Sequence, residues 1–231
     1  MSDANRLDEA ALAPYLEAHV PGFAGFVSVE KFKAGQSNPT YLVTARSGKY
    51  VLRAKPPGQL LKSAHQVDRE FRVMRALANT AVPVPKMLHL APEDSPIGRM
   101  FYVMEFLEGR IFWDPALPEL ASNTERAAIY DAMNATLAAL HDVDVEKAGL
   151  ADYGKPGSYF ERQFQRWTGQ YRASETQPIA DMDRLIGWLE QNMPADDGKV
   201  ALVHGDYRLD NMIFAPDRVE VVALLDWELS T

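Results

Sequence analysis

The stretch His204-Gly205-Asp206-Tyr207-Arg208-Leu209-Asp210-Asn211 follows an apolar run, Val200 to Val203, and a second apolar run, Val219 to Leu225, ends at Asp226-Trp227-Glu228. Asp206 and Asn211 are separated by four residues on what reads as a loop, and Asp226 sits at a strand end. An Asp, an Asn and another Asp at strand ends supply one candidate base and two candidate oxygen ligands. Oxygen ligands suit hard Mg²⁺, which takes few protein contacts and completes its shell with phosphates and water. Each part alone has an ordinary explanation. A His-x-Asp pair arises by chance, and a strand-end Asp commonly forms a turn or caps a helix. The combination H-x-D-x-x-x-x-N, then D-[FW]-x after an apolar strand, demands several independent matches and favours a chemical role.

The rest of the chain is compatible with that reading. Its 231 residues are 47% apolar and 24% charged, the composition of a globular protein with one large domain or two small ones. A chain of this length can bury about 70% of its unfolded surface, so disorder is not expected. Cysteine is absent, which excludes disulfides, a Cys nucleophile, iron–sulfur clusters and thiolate zinc sites, and fits a cytoplasmic address. The net charge of −8 argues against nucleic acid as partner, since duplex binders carry a basic surplus. It suits a cationic substrate or, equally, serves solubility alone. Met1 to Leu16 lacks the apolar run of a signal peptide, and Val221 to Leu225 is far shorter than the ~20 residues of a spanning helix, so no membrane association is expected.

Periodicity divides the chain in two. Leu7 to Val20 reads as a short helix stopped by Pro21-Gly22. Phe26 to Phe32, Thr40 to Ala45 and Tyr50 to Arg53 read as a strand meander turning at Gly35-Gln36-Ser37-Asn38 and Ser47-Gly48. A helix is expected from about Leu61 to Ala78, where Leu60, just before it, and Ala64, Val67, Phe71, Met74 and Leu77 fall three or four apart. After Val82-Pro83-Val84-Pro85 come two strands, Lys86 to Leu90 and Met100 to Glu105. Beyond Gly109 the pattern is helical: Thr124 to His141, with Tyr130, Met133, Leu137 and Leu140 on one face, then Ser158 to Tyr171 and Ile179 to Asn192. Short strands return at Val200 to Val203, Met212 to Phe214 and Val219 to Leu225. The expected architecture is an α+β chain of two lobes, residues 1–107 strand-rich and residues 108–231 helical, with a ligand cleft between them.

With these motifs in place, the chain resembles the aminoglycoside phosphotransferase and choline kinase group, relatives of the protein kinases, from about Phe26 to Thr231. The resemblance implies a protein-kinase-like two-lobed fold and ATP-dependent phosphoryl transfer. It makes His204 to Asn211 the catalytic loop, with Asp206 as base and Asn211 as a metal ligand. It makes Asp226 the Mg²⁺ ligand of a D-F-G equivalent, with His204 bracing the loop. Gly35, Ser37 and Asn38 occupy the phosphate-covering loop, where backbone N–H groups can approach phosphate oxygens. Arg53, in Tyr50-Val51-Leu52-Arg53, stands where protein kinases carry lysine, and a guanidinium also offers a permanent charge and a fork of donors. Glu70 is its expected partner, although a Glu solvated beside Arg69 or Arg72 would fit the sequence too. Val103 to Gly109 resembles the hinge, with Met104 as gatekeeper and the backbones of Glu105 and Leu107 toward adenine; a plain buried strand explains the same apolar residues. His141 reads as a packed or C-capping residue, and His19, His65 and His89 receive no role.

Within this group Gly35 to Tyr41, Arg53 to Gly58 and Asp226 to Thr231 are similar to the phosphotransferase-like domains fused to acyl-CoA dehydrogenases. That implies a hydroxylated acyl-CoA as one small-molecule hydroxyl acceptor, with aminoglycosides and choline-like amino alcohols as alternatives. Arg162 and Arg166, four apart with Lys155 and Arg172 near, could meet an anionic acceptor or simply form a solvated helix face. A non-catalytic kinase-like module would be expected to lack Asp206, Asn211 or Asp226, and all three are present. A protein kinase would be expected to carry Phe-Gly in place of Trp227-Glu228, and a metal-dependent hydrolase would want more histidines at ligand spacing. Asp226 lies five residues before Thr231. Since relatives of this kind continue with further helices, the helical lobe is expected to be incomplete and to show exposed apolar surface.

Overall fold

A computed structural model of the protein describes residues 7–32, 38–58, 65–155, 157–196 and 198–231. Five strands form one antiparallel sheet: β1 (Phe26–Lys31), β2 (Thr40–Ala45), β3 (Gly48–Ala54), β4 (Met87–Ala91) and β5 (Phe101–Glu105), in the order β1-β2-β3-β5-β4. Helix α1 (Glu9–His19) precedes the sheet, and α2 (Val67–Leu77) lies between β3 and β4 in sequence. The helical lobe contains α3 (Asn123–His141), α4 (Tyr159–Ser174) and α5 (Ala180–Gln191), followed by the hairpin β6 (Met212–Phe214) and β7 (Val221–Leu224). Among the described residues no helix is long and apolar enough to cross a membrane.

The two-residue period of the strands sorts side chains between two cores. On β5, Phe101 and Val103 join Leu12 and Leu16 of α1, whereas Tyr102 and Met104 join Phe71 and Met74 of α2. On β3, Leu52 packs toward α1 and Val51 toward α2. Arg53, one residue beyond Leu52 and paired in register with Tyr102, therefore projects on the α2 face. This second core is continuous with the helical lobe, taking in Ile129, Leu140, Leu209, Met212, Leu224 and Trp227. The sheet and the helical region thus share one buried interior.

Three local expectations are corrected. Among the described residues the helix expected from about Leu61 starts at Val67, since His65 has φ 60, in the left-handed region that interrupts a right-handed helix; residues 59–64, with Leu60, Leu61 and Ala64, lie outside the described residues. On α3 the buried positions are Ile129, Thr136 and Leu140, while Tyr130 is exposed and donates its hydroxyl to the Pro115 carbonyl at 2.6 Å. Val200 to Val203 forms no strand, since its backbone pairing is confined to reciprocal Val203–Thr231 hydrogen bonds of 2.8 and 2.9 Å.

Candidate active site

The loop after Val203 and the turn after β7 are stitched together. His204 is buried, and its Nε2 lies 2.9 Å from the Leu225 carbonyl, an acceptor, so Nε2 carries the proton. Its Nδ1 then accepts from the Asp206 N–H at 3.3 Å. Both ring nitrogens are satisfied by the neutral form, and burial lowers the imidazole pKa. Leu225 N–H donates to the Asn211 carbonyl at 2.8 Å, closing the second seam. Gly205 has φ 87, and a Cβ there would overlap the Leu229 carbonyl, so the loop and the Asp226–Glu228 turn approach as closely as only glycine permits. His204 also lies 4.6 Å, centre to centre, from the fully buried Trp227 ring.

On this loop Asp206 keeps an accessible carboxylate, its side chain 37% exposed. Asn211 donates Nδ2 to the Asp206 carbonyl at 2.9 Å and to Oδ2 at 3.1 Å. That use of the nitrogen leaves the side-chain oxygen as the atom of Asn211 that could hold a cation. Arg208 spans Asp206, at 3.4 Å, and Asp210, at 2.8 Å. Asp226 has φ 64, an uncommon backbone conformation tolerated best by Asp and Asn, and its carboxylate meets Arg53 Nη2 at 2.6 Å.

Arg53 is the junction between the lobes. Its Nε lies 3.0 Å from Glu70 Oε2, Nη2 reaches Asp226, and Glu228 Oε2 stands 4.0 Å away. Glu70 is fully buried and is also held by Asn38 Nδ2 at 2.9 Å and by the Tyr102 hydroxyl at 2.9 Å. Burial pushes the Glu70 carboxyl up to about 7, against the opposing pull of Arg53. Burial acts to lower the Arg53 pKa, but Glu70, Tyr102, Asp226 and Glu228 outweigh it and keep the guanidinium charged. Arg69 and Arg72 do not pair with Glu70. Arg69 donates to the Tyr153 and Ser230 carbonyls, and Arg72 to Asp152 and the Gly149 carbonyl.

The remaining expected residues fall into distinct places. Gly35 and Ser37 lie outside the described residues. Asn38 is described and 1% exposed; its Nδ2 serves Glu70 and Glu228 and its Oδ1 serves His65 Nδ1, at 3.0 Å. Its side chain is thus spent inside the protein, and only its backbone could face a phosphate. Met104 is buried on the α2 face of β5, and Glu105 pairs with Tyr50 and with the Lys86 carbonyl. Among the described residues the backbone N–H and C=O of Leu107 meet no hydrogen-bond partner, so this hinge backbone is free to receive one. Arg162 is engaged by the Gly157 and Lys155 carbonyls and so is not poised for an anion, and the exposed Arg166 lies over the Trp167 ring.

Tyr102 and Glu228 belong to this cluster without having been singled out from the sequence. The two-residue offset from Asp226 was the available signal for Glu228, and the register opposite Arg53 was that for Tyr102. Glu70, Asp226 and Glu228 bring carboxylate oxygens within 4.8 Å of one another, but Arg53 shares them. Asp226, which also meets Arg53, and the side-chain oxygen of Asn211 offer oxygen donors of the kind a hard divalent cation takes.

Comparison with known proteins gives the arrangement its context. A model of the phosphotransferase enzyme family matches residues 28–231. Acyl-CoA dehydrogenase family member 11 of Rattus norvegicus is 47% identical over 231 residues, covering 98% of this chain and 30% of that protein. The crystal structure of a Ralstonia eutropha protein, itself provisionally assigned as an aminoglycoside phosphotransferase, superposes with TM-score 0.87 at 52% identity, covering 98% of this chain and 66% of that one. An aminoglycoside phosphotransferase in complex with streptomycin and ATP shares the fold, with TM-score 0.65 at 17% identity, covering 98% of this chain and 73% of that one. The chain therefore spans about 30% of the rat relative's length and about two-thirds of the Ralstonia chain. By its matched sequence and its protein-kinase-like α+β fold, the chain belongs to the phosphotransferase enzyme family.

Proposed function

We propose that the chain transfers the γ-phosphate of ATP to a hydroxyl of a small molecule, with the lobes divided at residues 107 and 108. The observation that carries this reading is the junction at Arg53. One guanidinium contacts the buried Glu70 of the strand-rich lobe and Asp226 of the other, directly beside the loop bearing Asp206 and Asn211. Arg53 holds phosphate oxygens, with Glu70 fixing its direction. The backbone amides around Gly35, Ser37 and Asn38 cover the phosphates. Met104 closes the back of the adenine site, and the backbones of Glu105 and Leu107 bind the base.

Asp206 accepts the hydrogen bond of the acceptor hydroxyl and takes its proton as the oxygen attacks the γ-phosphorus. The bond from that phosphorus to the bridging oxygen breaks, and its electron pair leaves with ADP. Asp226 and the Asn211 oxygen would hold Mg²⁺, which supplies neutralisation of phosphate charge. The accessible carboxylate of Asp206, steadied by Asn211 and Arg208, fits the orienting role, and positioning with charge neutralisation provides most of the rate gain in this chemistry.

The acceptor is a small-molecule alcohol. The hydroxyacyl-CoA candidate draws no support from the arginines of α4, since Arg162 is spent on backbone carbonyls. A mass-spectrometric screen of hydroxylated metabolites with Mg²⁺ and ATP selects among acyl-CoA, aminoglycoside and amino-alcohol acceptors. With the acceptor so found, Asp206→Asn is expected to lower turnover by about 10²–10⁴-fold, the usual worth of a positioned base, while ATP binding by calorimetry stays near wild type. Unchanged turnover would remove Asp206 from the role.

A further inference from the structure

Arg69, next to Glu70 on α2, turns away from the carboxylate and grips the other lobe. Its Nη1 donates to the Tyr153 carbonyl at 3.0 Å, its Nη2 to the Ser230 carbonyl at 3.2 Å, and its guanidinium carbon lies 4.1 Å from the centre of the Tyr153 ring. Tyr153 is buried, with its hydroxyl 2.6 Å from Ser230 Oγ. Ser230 closes a turn on Trp227, its N–H reaching the Trp227 carbonyl at 3.1 Å and its hydroxyl the same oxygen at 2.5 Å. The serine hydroxyl has one proton and spends it on Trp227, so Tyr153 must be the donor to Ser230. A directed chain thus runs from Arg69 and Tyr153 through Ser230 to Trp227, whose neighbour Asp226 has the positive φ.

We propose that Arg69, Tyr153 and Ser230 form a latch that ties α2 to the Asp226–Glu228 turn, and that they are positioning residues for Glu70 and Asp226. The inference rests on the reading that Arg53, Glu70 and Asp226 serve the nucleotide phosphates and Mg²⁺. A left-handed backbone at Asp226 persists only where its surroundings over-determine it. Ser230 provides that constraint on one side of Asp226, and the Leu225 contacts to His204 and Asn211 provide it on the other. Movement of α2 away from the cleft would separate Arg53 from Glu70. It would also break both charge-assisted hydrogen bonds of Arg69 and its stacking on Tyr153, each stronger than a neutral surface contact. The latch therefore sets Glu70 and Asp226 on either side of Arg53 before nucleotide arrives.

The test compares the wild-type chain with Tyr153→Phe, which removes one hydroxyl, and Arg69→Met, which keeps the stem but not the fork. Calorimetry measures ATP affinity with excess Mg²⁺ and with EDTA. If the latch places Asp226 for the metal, both variants lose about 5–10-fold of the tightening that Mg²⁺ gives, the worth of one hydrogen bond, over and above any loss of metal-free affinity that comes through Glu70 and Arg53. A structural role alone would lower the melting temperature and leave the Mg²⁺ effect intact, and that result overturns the proposal. Amide exchange of the wild-type chain without ligand needs no variant. The α2 amides and those of Ser230 and Thr231 should open with one common free energy, and separate opening overturns the latch. Absence of ATP binding by the wild type would count against the phosphotransferase reading, and the exchange result would still decide the latch.

Discussion

Helices α2 and α4 carry apolar residues at the same kind of spacing and meet opposite fates. On α2, Val67, Phe71, Met74 and Leu77 are buried, together with Glu70. On α4, Phe160, Phe164, Trp167 and Tyr171 form an equally regular stripe, yet neither α4 nor α5 has a buried residue. The α4 stripe faces Leu185, Ile186 and Leu189 of α5 across an open groove of about 330 Å³. The difference lies in what stands opposite. The α2 stripe meets a pleated sheet face and the core of the other lobe, whereas the α4 stripe meets one helix of its own kind. Amphipathic spacing tells which side of a helix is apolar, and the partner surface decides how much water leaves it.

The sharpest test of this contrast is Met74→Ala. Met74 is fully buried in the core shared by both lobes. Truncation there removes transfer energy and leaves a cavity, with an expected loss of about 2–5 kcal/mol in urea unfolding. A loss below about 1 kcal/mol would show that the core at α2 relaxes freely, and the contrast with α4 would dissolve.

The buried carboxylate on the same helix adds a pH dependence. Between about 4.5, its ordinary value, and about 7, its folded value, Glu70 holds a proton in the native state that the unfolded chain has released. Its contribution to stability is therefore complete below pH 4.5 and is lost as pH rises through 7. Glu70→Gln should flatten this fall, narrowing the difference between pH 5 and pH 8 by roughly 2–3 kcal/mol in chemical denaturation. An unaltered profile would mean that Arg53, Asn38 and Tyr102 offset the burial of the charge entirely.

What could be read beforehand follows the same physics. The meander, α1, α3 and the chain order of the lobes were legible because strand and helix periods are local. That His204 to Asn211 lies beside the turn at Asp226 was legible because a loop motif sits at fixed spacing beside apolar runs. Glu70 was legible as the inward-facing charge beside a stripe. The start of α2 was not, because His65 takes a left-handed backbone without being glycine. Val200 to Val203 looked like a strand because its side chains are apolar, but a strand also needs a ladder partner, which its sequence does not state. The inward turn of Asn38 and the grip of Arg69 on Tyr153 depend on residues 32 and 84 positions away, and no local period encodes them.

The smallest expected effect tests the other side of the contrast. Trp167 is 58% exposed, and its indole N–H is satisfied within its own helix by Gln163 at 3.0 Å. Because water already reaches most of the ring, Trp167→Ala should change unfolding free energy by no more than about 0.5 kcal/mol, the range of surface substitutions. The helical N–H of residue 167 is unaffected, and alanine's better helix propensity offsets part of the lost contact with α5. A loss above about 2 kcal/mol would place Trp167 with the buried aromatics. The α4 face would then be covered in solution, and the difference between α2 and α4 would be one of partner rather than of burial.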